Sequence, residues 1–158
     1  MREDIATAGI DVPPAEASGP RRRTTAPATV LVADDDPFAR SAIHQILEEL
    51  GYGVVEAANG TEALELLSRA ADEGGTMPDV VLLDFVMPGF SGLGILRVMR
   101  RFESPPPTIV MTGFSDPTVE TFASHLGAVC VLRKPLEEEE LRAAILTAAS
   151  SGRGSAPR

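Results

Sequence analysis

The sequence predicts a doubly wound α/β fold, a (βα)5 chain whose parallel sheet is covered by helices on both faces. Three observations carry this expectation. Short aliphatic runs alternate five times with stretches whose apolar residues recur at i, i+3, i+4 and i+7. Most of the short runs are apolar without alternation, as strands buried on both faces require. Cap and turn residues stand at the junctions between the two patterns.

Val30-Leu31-Val32 is the first predicted strand. Asp36 followed by Pro37 supplies an N-cap and a first-turn proline, Ile43, Ile46, Leu47 and Leu50 form the stripe of the first helix, and Gly51 follows it. Val54-Val55 makes the second strand; Asn59 with Glu62 forms a capping box ahead of the stripe Ala63, Leu66, Leu67 and Ala70. The third strand is Val80 to Leu83, and its helix carries Ile95, Val98, Met99 and Phe102. Ile109-Val110-Met111 is the fourth. Asp116-Pro117 caps the helix of Val119, Phe122, Ala123 and Leu126, with Gly127 after it. Val129-Cys130-Val131-Leu132 is the fifth, followed by acidic Glu137 to Glu140, favoured by the helix dipole, and the stripe Leu141, Ala144, Ile145 and Ala148.

Of 158 residues, 29–149 are expected to form one domain. Residues 1–28, with Pro13, Pro14, Pro20 and Pro27 and no apolar period, read as a disordered leader, and 150–158 as a flexible tail. Arg21-Arg22-Arg23 is a solvated cluster in the leader. The composition, 44 % hydrophobic but only 4 % aromatic and without Trp, supports one core and argues against base-stacking surfaces. Residues 29–149 carry 8 basic and 19 acidic residues, a net of −11, which repels nucleic acid backbones. The single cysteine, Cys130, excludes an internal disulfide and reads as a small buried hydrophobe. No apolar stretch approaches the roughly 20 residues of a membrane span. A cytoplasmic setting is expected.

In a sheet of this kind ligands bind beyond the carboxyl ends of the strands, where the strand order reverses. Those positions hold Asp34-Asp35-Asp36 after the first strand, Asp84 after the third, Thr112-Gly113 after the fourth and Lys134-Pro135 after the fifth. Carboxylates gathered at one rim repel unless a cation bridges them, and hard oxygen ligands of this kind suit Mg2+. A divalent metal, a lysine charge and a hydroxyl around one further carboxylate make up the set needed to receive a phosphoryl group. Asp84 is the candidate nucleophile. Lys134 is the only lysine in the chain, against 13 arginines.

The ordered set Val32-Ala33-Asp34-Asp35-Asp36-Pro37, Asp84 with Met87-Pro88 and Gly92, Met111-Thr112-Gly113 and Lys134-Pro135 resembles the receiver domain of bacterial two-component response regulators, over residues 29–149. The resemblance implies a flavodoxin-like sheet of order 2-1-3-4-5, a stand-alone chemotaxis-receiver-like module, and transfer of a phosphoryl group from a histidine kinase or histidine phosphotransfer protein to Asp84. Asp35, Asp84 and the backbone carbonyl of Val86 would hold Mg2+, with Asp34 acting through water. Thr112 and Lys134 would bind phosphoryl oxygens, and the Lys134-Pro135 bond would be cis. The implied module has no catalytic activity beyond its own phosphorylation and dephosphorylation, and signals to a downstream protein. Its fourth helix, fifth strand and fifth helix would offer a surface for a partner or a homodimer, bearing Val119, Phe122 and Ala123 beside Glu120, Arg133 and Arg142.

Two departures from the family pattern carry expectations. Val131 occupies the position of the usual aromatic switch, which predicts a weakened relay from Thr112. Val86 and Phe114 are apolar where polar groups would position hydrolytic water, which predicts a long-lived phosphoryl group. Asp36 reads as a helix cap, and Thr112 has a capping alternative in the turn with Ser115. His44 and His125 read as helix-surface residues without a ligand-type neighbour. Two other functional readings remain: a Mg2+-dependent aspartyl-phosphate phosphatase of the haloacid dehalogenase type using the Asp-x-Asp of 34–36, and a receiver fragment of a larger DNA-binding regulator or hybrid kinase.

Overall fold

The computed structural model describes residues 28–113 and 116–154. Five parallel strands, β1 (Thr29–Ala33), β2 (Gly53–Ala57), β3 (Val80–Asp84), β4 (Thr108–Thr112) and β5 (Cys130–Arg133), lie in the order β2-β1-β3-β4-β5. Between and after them run α1 (Pro37–Glu49), α2 (Gly60–Asp72), α3 (Gly92–Met99), α4 (Pro117–His125) and α5 (Glu138–Gly154). The predicted fold and strand order are those observed.

Side chains alternate across the sheet and build two separate cores. Val30, Val32, Val80, Leu82, Ile109 and Met111 face α1 and α5, where they meet Ile43, Leu47, Leu141 and Ile145. Leu31, Ala33, Val81, Leu83 and Val110 face α2, α3 and α4, against Leu67, Ile95, Met99 and Ala123. Burying each large aliphatic side chain stabilises the fold by about 1.5–3 kcal/mol. The three inner strands are almost wholly buried, whereas only Ala57 of β2 is buried and no residue of β5 is. Cys130 is accordingly half-buried rather than buried, and burial pushes its thiol above the usual range.

The caps sit where the sequence places them. Asp36 and Asp116 accept from the N–H of Phe38 and Thr118, and Asn59 accepts from Glu62 N–H. Glu62 reaches back to the N–H of Ala58, one residue before the cap, at 2.6 Å. Gly51 and Gly127 follow their helices with φ of +96° and +97°.

Three local readings change. α3 ends at Met99, so Phe102 lies outside it; N–H groups of Arg101 and Phe102 bond three residues back, and Pro105 to Pro107 follow. Phe122 is 55 % exposed, while Val119 and Ala123 are buried, so of that apolar trio only Phe122 belongs to the outer surface of α4. α5 runs past Ala149 through Ser150 to Gly154, within the predicted tail. The leader to Pro27, Phe114, Ser115 and residues 155–158 lie outside the described residues.

The loop from β3 to α3 is drawn tightly onto its surroundings by glycines. A Cβ on Gly92 would stand 2.3 Å from the carbonyl oxygen of Asp84, and one on Gly60 would stand 1.9 Å from that of Phe90. Gly60 N–H also donates to the Pro88 carbonyl at 3.2 Å. These contacts fix the end of β3 against the start of both α2 and α3.

Candidate functional site

β1 ends at Ala33, level with Leu83 of β3, so Asp34 and Asp84 emerge side by side at the carboxyl rim. Asp84 in turn is level with Met111, which brings Thr112 to the same rim, and Thr112 is level with Arg133, one residue before Lys134. Lys134 N–H donates to the Thr112 carbonyl at 2.8 Å, continuing the β4–β5 ladder to the last residue able to serve it. The Lys134-Pro135 bond is cis.

The carboxylates of Asp34, Asp35 and Asp84 each offer an oxygen within 4.8 Å of the others. Asp34 is wholly buried, Asp84 is buried and Asp35 is exposed. Lys134 Nζ lies 2.7 Å from Asp34 Oδ2 and donates to Asp84 Oδ2 at 3.1 Å. Asp34 Oδ1 accepts from the N–H of Asp36 at 2.9 Å, while Oδ2 has the lysine charge nearby but no aligned hydrogen-bond donor. Asp84 Oδ1 accepts from Val86 N–H at 3.3 Å. Thr112 is buried, and Val86 is 54 % exposed beside the site.

One ammonium against three carboxylates leaves the cluster negative. Burial pushes Asp84 up to about 6, against the pull of Lys134 and with the help of the charge on Asp34. Burial alone would lower Lys134, but its contacts with Asp34 and Asp84 outweigh that and hold its ammonium above the ordinary lysine value. Three carboxylates around a single ammonium, with Asp35 open to solvent, fit a hard divalent cation.

Behind Asp34 lies a polar chain that the sequence reading passed over. Arg40 of α1 donates through Nη1 to the Asp34 carbonyl at 2.7 Å and through Nε to Glu56 Oε1 of β2 at 2.8 Å. His44 bonds the other oxygen of Glu56 through Nδ1 and stands 3.3 Å from Glu48 through Nε2. The reading of His44 as lacking a partner is thereby corrected. Arg40, His44 and Glu48 recur every four residues, a polar stripe, and Glu56 interrupts an aliphatic strand; together these were the available signal. The His125 ring bonds the Thr121 carbonyl of its own helix at 3.0 Å, and the His125 carbonyl accepts from Arg100 Nη1 at 3.4 Å.

Residues 30–146 match the response regulator receiver domain family. The chain is 37 % identical over 127 residues to the positive alginate biosynthesis regulatory protein of Pseudomonas aeruginosa, covering 78 % of this chain and 48 % of that protein. It is 30 % identical over 116 residues to sporulation initiation phosphotransferase F of Bacillus subtilis, covering 73 % and 89 %. It therefore spans about half the length of the alginate regulator and most of the sporulation protein. A receiver domain structure from Clostridium thermocellum superposes with a TM-score of 0.72 at 32 % identity, over 80 % of this chain and 97 % of that one. A CheY-like receiver from Methanospirillum hungatei, at 23 % identity and the same TM-score over 83 % and 100 %, shares the fold. Sequence, fold and the order of residues around the rim agree, and the chain belongs to the response regulator receiver domain family of two-component signalling.

Proposed function

We propose that Asp84 is the phosphoacceptor and that Lys134, Thr112 and the acids of β1 complete its site. The convergence of Asp34, Asp35, Asp84 and Lys134 at one rim carries this reading. A carboxylate oxygen of Asp84 attacks phosphorus in a phosphohistidine of a kinase or phosphotransfer protein; the O–P bond forms, the N–P bond breaks, and the imidazole leaves. Asp35, Asp84 and the Val86 carbonyl would hold Mg2+, with Asp34 behind them. When bound, Mg2+ offsets the charge of the acids and of the phosphoryl oxygens. Lys134 Nζ, which donates to Asp84 Oδ2, would hold an incoming phosphoryl oxygen, and the Thr112 hydroxyl would hold another.

The same geometry disfavours a phosphatase that uses Asp34 as nucleophile. Asp34 is wholly buried, and its Oδ1 is engaged by the Asp36 N–H. Asp36, the second acid of that motif, is spent on the cap of α1.

The test is intact-protein mass after incubation with a small-molecule phosphodonor, with and without Mg2+, for the wild type and Asp84→Asn. One added phosphoryl group that requires Mg2+ and is missing from Asp84→Asn is the expected result. Phosphorylation retained in Asp84→Asn, or donor turnover without any mass change, overturns the assignment.

A further inference from the structure

We infer that Arg40 is a positioning residue for the metal-binding turn, acting through the peptide group between Asp34 and Asp35. This rests on the reading of that turn as the Mg2+ site given above.

The Asp34 carbonyl belongs to a rigid plane that also contains the N–H of Asp35, so fixing that oxygen orients the Asp35 backbone. Arg40 Nη1 holds it at 2.7 Å. The side chain of Asp34 is fixed separately, through Asp36 N–H and Lys134, and its own N–H donates to the Ala57 carbonyl at 3.2 Å. Asp35, in contrast, is exposed and contributes the outermost of the three clustered carboxylates. Its direction therefore depends on the peptide that Arg40 grips.

Arg40 is itself held. Glu56 Oε1 accepts from Nε at 2.8 Å while Nη1 holds the Asp34 carbonyl, and the His44 imidazole engages the second Glu56 oxygen. The guanidinium side chain is 17 % exposed, too enclosed for an ordinary surface ion pair. Two separate guanidinium nitrogens serve the two acceptors in a fixed plane, which the single nitrogen of a lysine does not reproduce. Groups that orient metal ligands from behind in this manner typically change metal affinity by about 10–100-fold when removed.

The experiment follows Mg2+ binding to the full chain by calorimetry and by the amide shifts of Asp35 and Val86, in the wild type, Arg40→Ala, Arg40→Lys and Glu56→Gln, with thermal melts alongside. Arg40→Ala is expected to weaken Mg2+ about tenfold, with Arg40→Lys failing to restore it. The rate of phosphorylation by a small donor should return to within about twofold of wild type once Mg2+ saturates, because the acceptor side is untouched. A folded Arg40→Ala with wild-type Mg2+ affinity overturns the inference. Should Arg40→Ala fail to fold, Glu56→Gln decides: it keeps the volume but weakens the hold on Nε, so weaker Mg2+ binding supports the inference and unchanged binding overturns it. A wild-type protein that binds no Mg2+ removes the proposed metal site together with this role for Arg40, whereas binding that is indifferent to Arg40 removes only the latter.

Discussion

The two flanks of Asp84 are built differently. On the β1 side, Asp34 is fully buried and is held by Asp36 at the cap of α1, Arg40 of α1, Ala57 of β2 and Lys134 after β5, with Arg40, Glu56 and His44 forming a polar chain behind it. On the other side Thr112 and Lys134 are joined by one ladder bond, and β5 is a four-residue edge strand with no buried residue. Val131 is half-buried and packs on the core. The acids and Thr112 are thus set in place by buried inner strands, while Lys134 alone follows the half-buried edge strand β5. Receptor chemistry at one rim is divided between a fixed part and a deformable part.

The largest expected effect concerns the residue between the flanks. A carboxyl raised to about 6 binds its proton more tightly folded than unfolded, so stability falls as pH rises from about 4 to about 6. Above that window the charged form remains a burden, and Asp84→Asn should stabilise the protein at pH 7 by on the order of 2–3 kcal/mol. The gain should vanish below about pH 4, where both states are protonated. Denaturant unfolding of both proteins at pH 4 and pH 7 checks this; equal differences at the two pH values would show that burial of the Asp84 charge is not the cause.

Gly92→Ala places a methyl group 2.3 Å from the Asp84 carbonyl oxygen, and either α3 or the end of β3 must move. A loss of about 1–3 kcal/mol in thermal or chemical unfolding is expected. A wild-type melting curve would mean that the end of β3 is less firmly seated than the fixed flank requires.

The contrast itself is measurable by native-state hydrogen exchange. Hydrogen-bonded amides of β5 should exchange at least about tenfold faster than those of β1. Equal protection would dissolve the distinction between the flanks.

The smallest effect belongs to His44. Its hydrogen bond to Glu56, helped by Glu48, outweighs a modest burial penalty and raises its pKa, while Arg40 and then His44 lower that of Glu56. The stability from His44 is fully present below its unfolded value of about 6.5 and is lost as pH rises through the raised folded value. The pair is about one-third exposed, so His44→Gln should cost less than about 1 kcal/mol at pH 6 and less still at pH 9. A cost that grows with pH would contradict a protonated His44.

What the sequence disclosed and what it hid divide along the same physical line. Strands, helix stripes and caps are local, so Asp36, Asn59 and Asp116 could be assigned from their neighbours. The rim residues Asp34, Asp84, Thr112 and Lys134 were accessible because strand ends are where such sheets bind ligands. Arg40 and His44 were not, since their partner Glu56 joins them only through the β1–β2 register, 16 and 12 residues away. Val119 and Ala123 were expected on the same outer surface as Phe122, but α4 turns both to the core and leaves only Phe122 outside. Ser91, which caps α3 by accepting from Gly94 N–H at 3.1 Å, lacked the acidic third residue that marks a capping box.

The seam between Gly60 and Phe90 has a mechanical consequence. At Gly60 the start of α2 meets the Phe90 backbone with no side chain between them, and the Thr61 side chain closes against Gly89 beside it, so the seam leaves little room for a small shift to dissipate. Any displacement of that loop is handed on as movement of the first turn of α2, gripped also by the Gly60–Pro88 bond. The start of α2 and the loop after Asp84 are therefore expected to shift together, through contacts that do not involve β5.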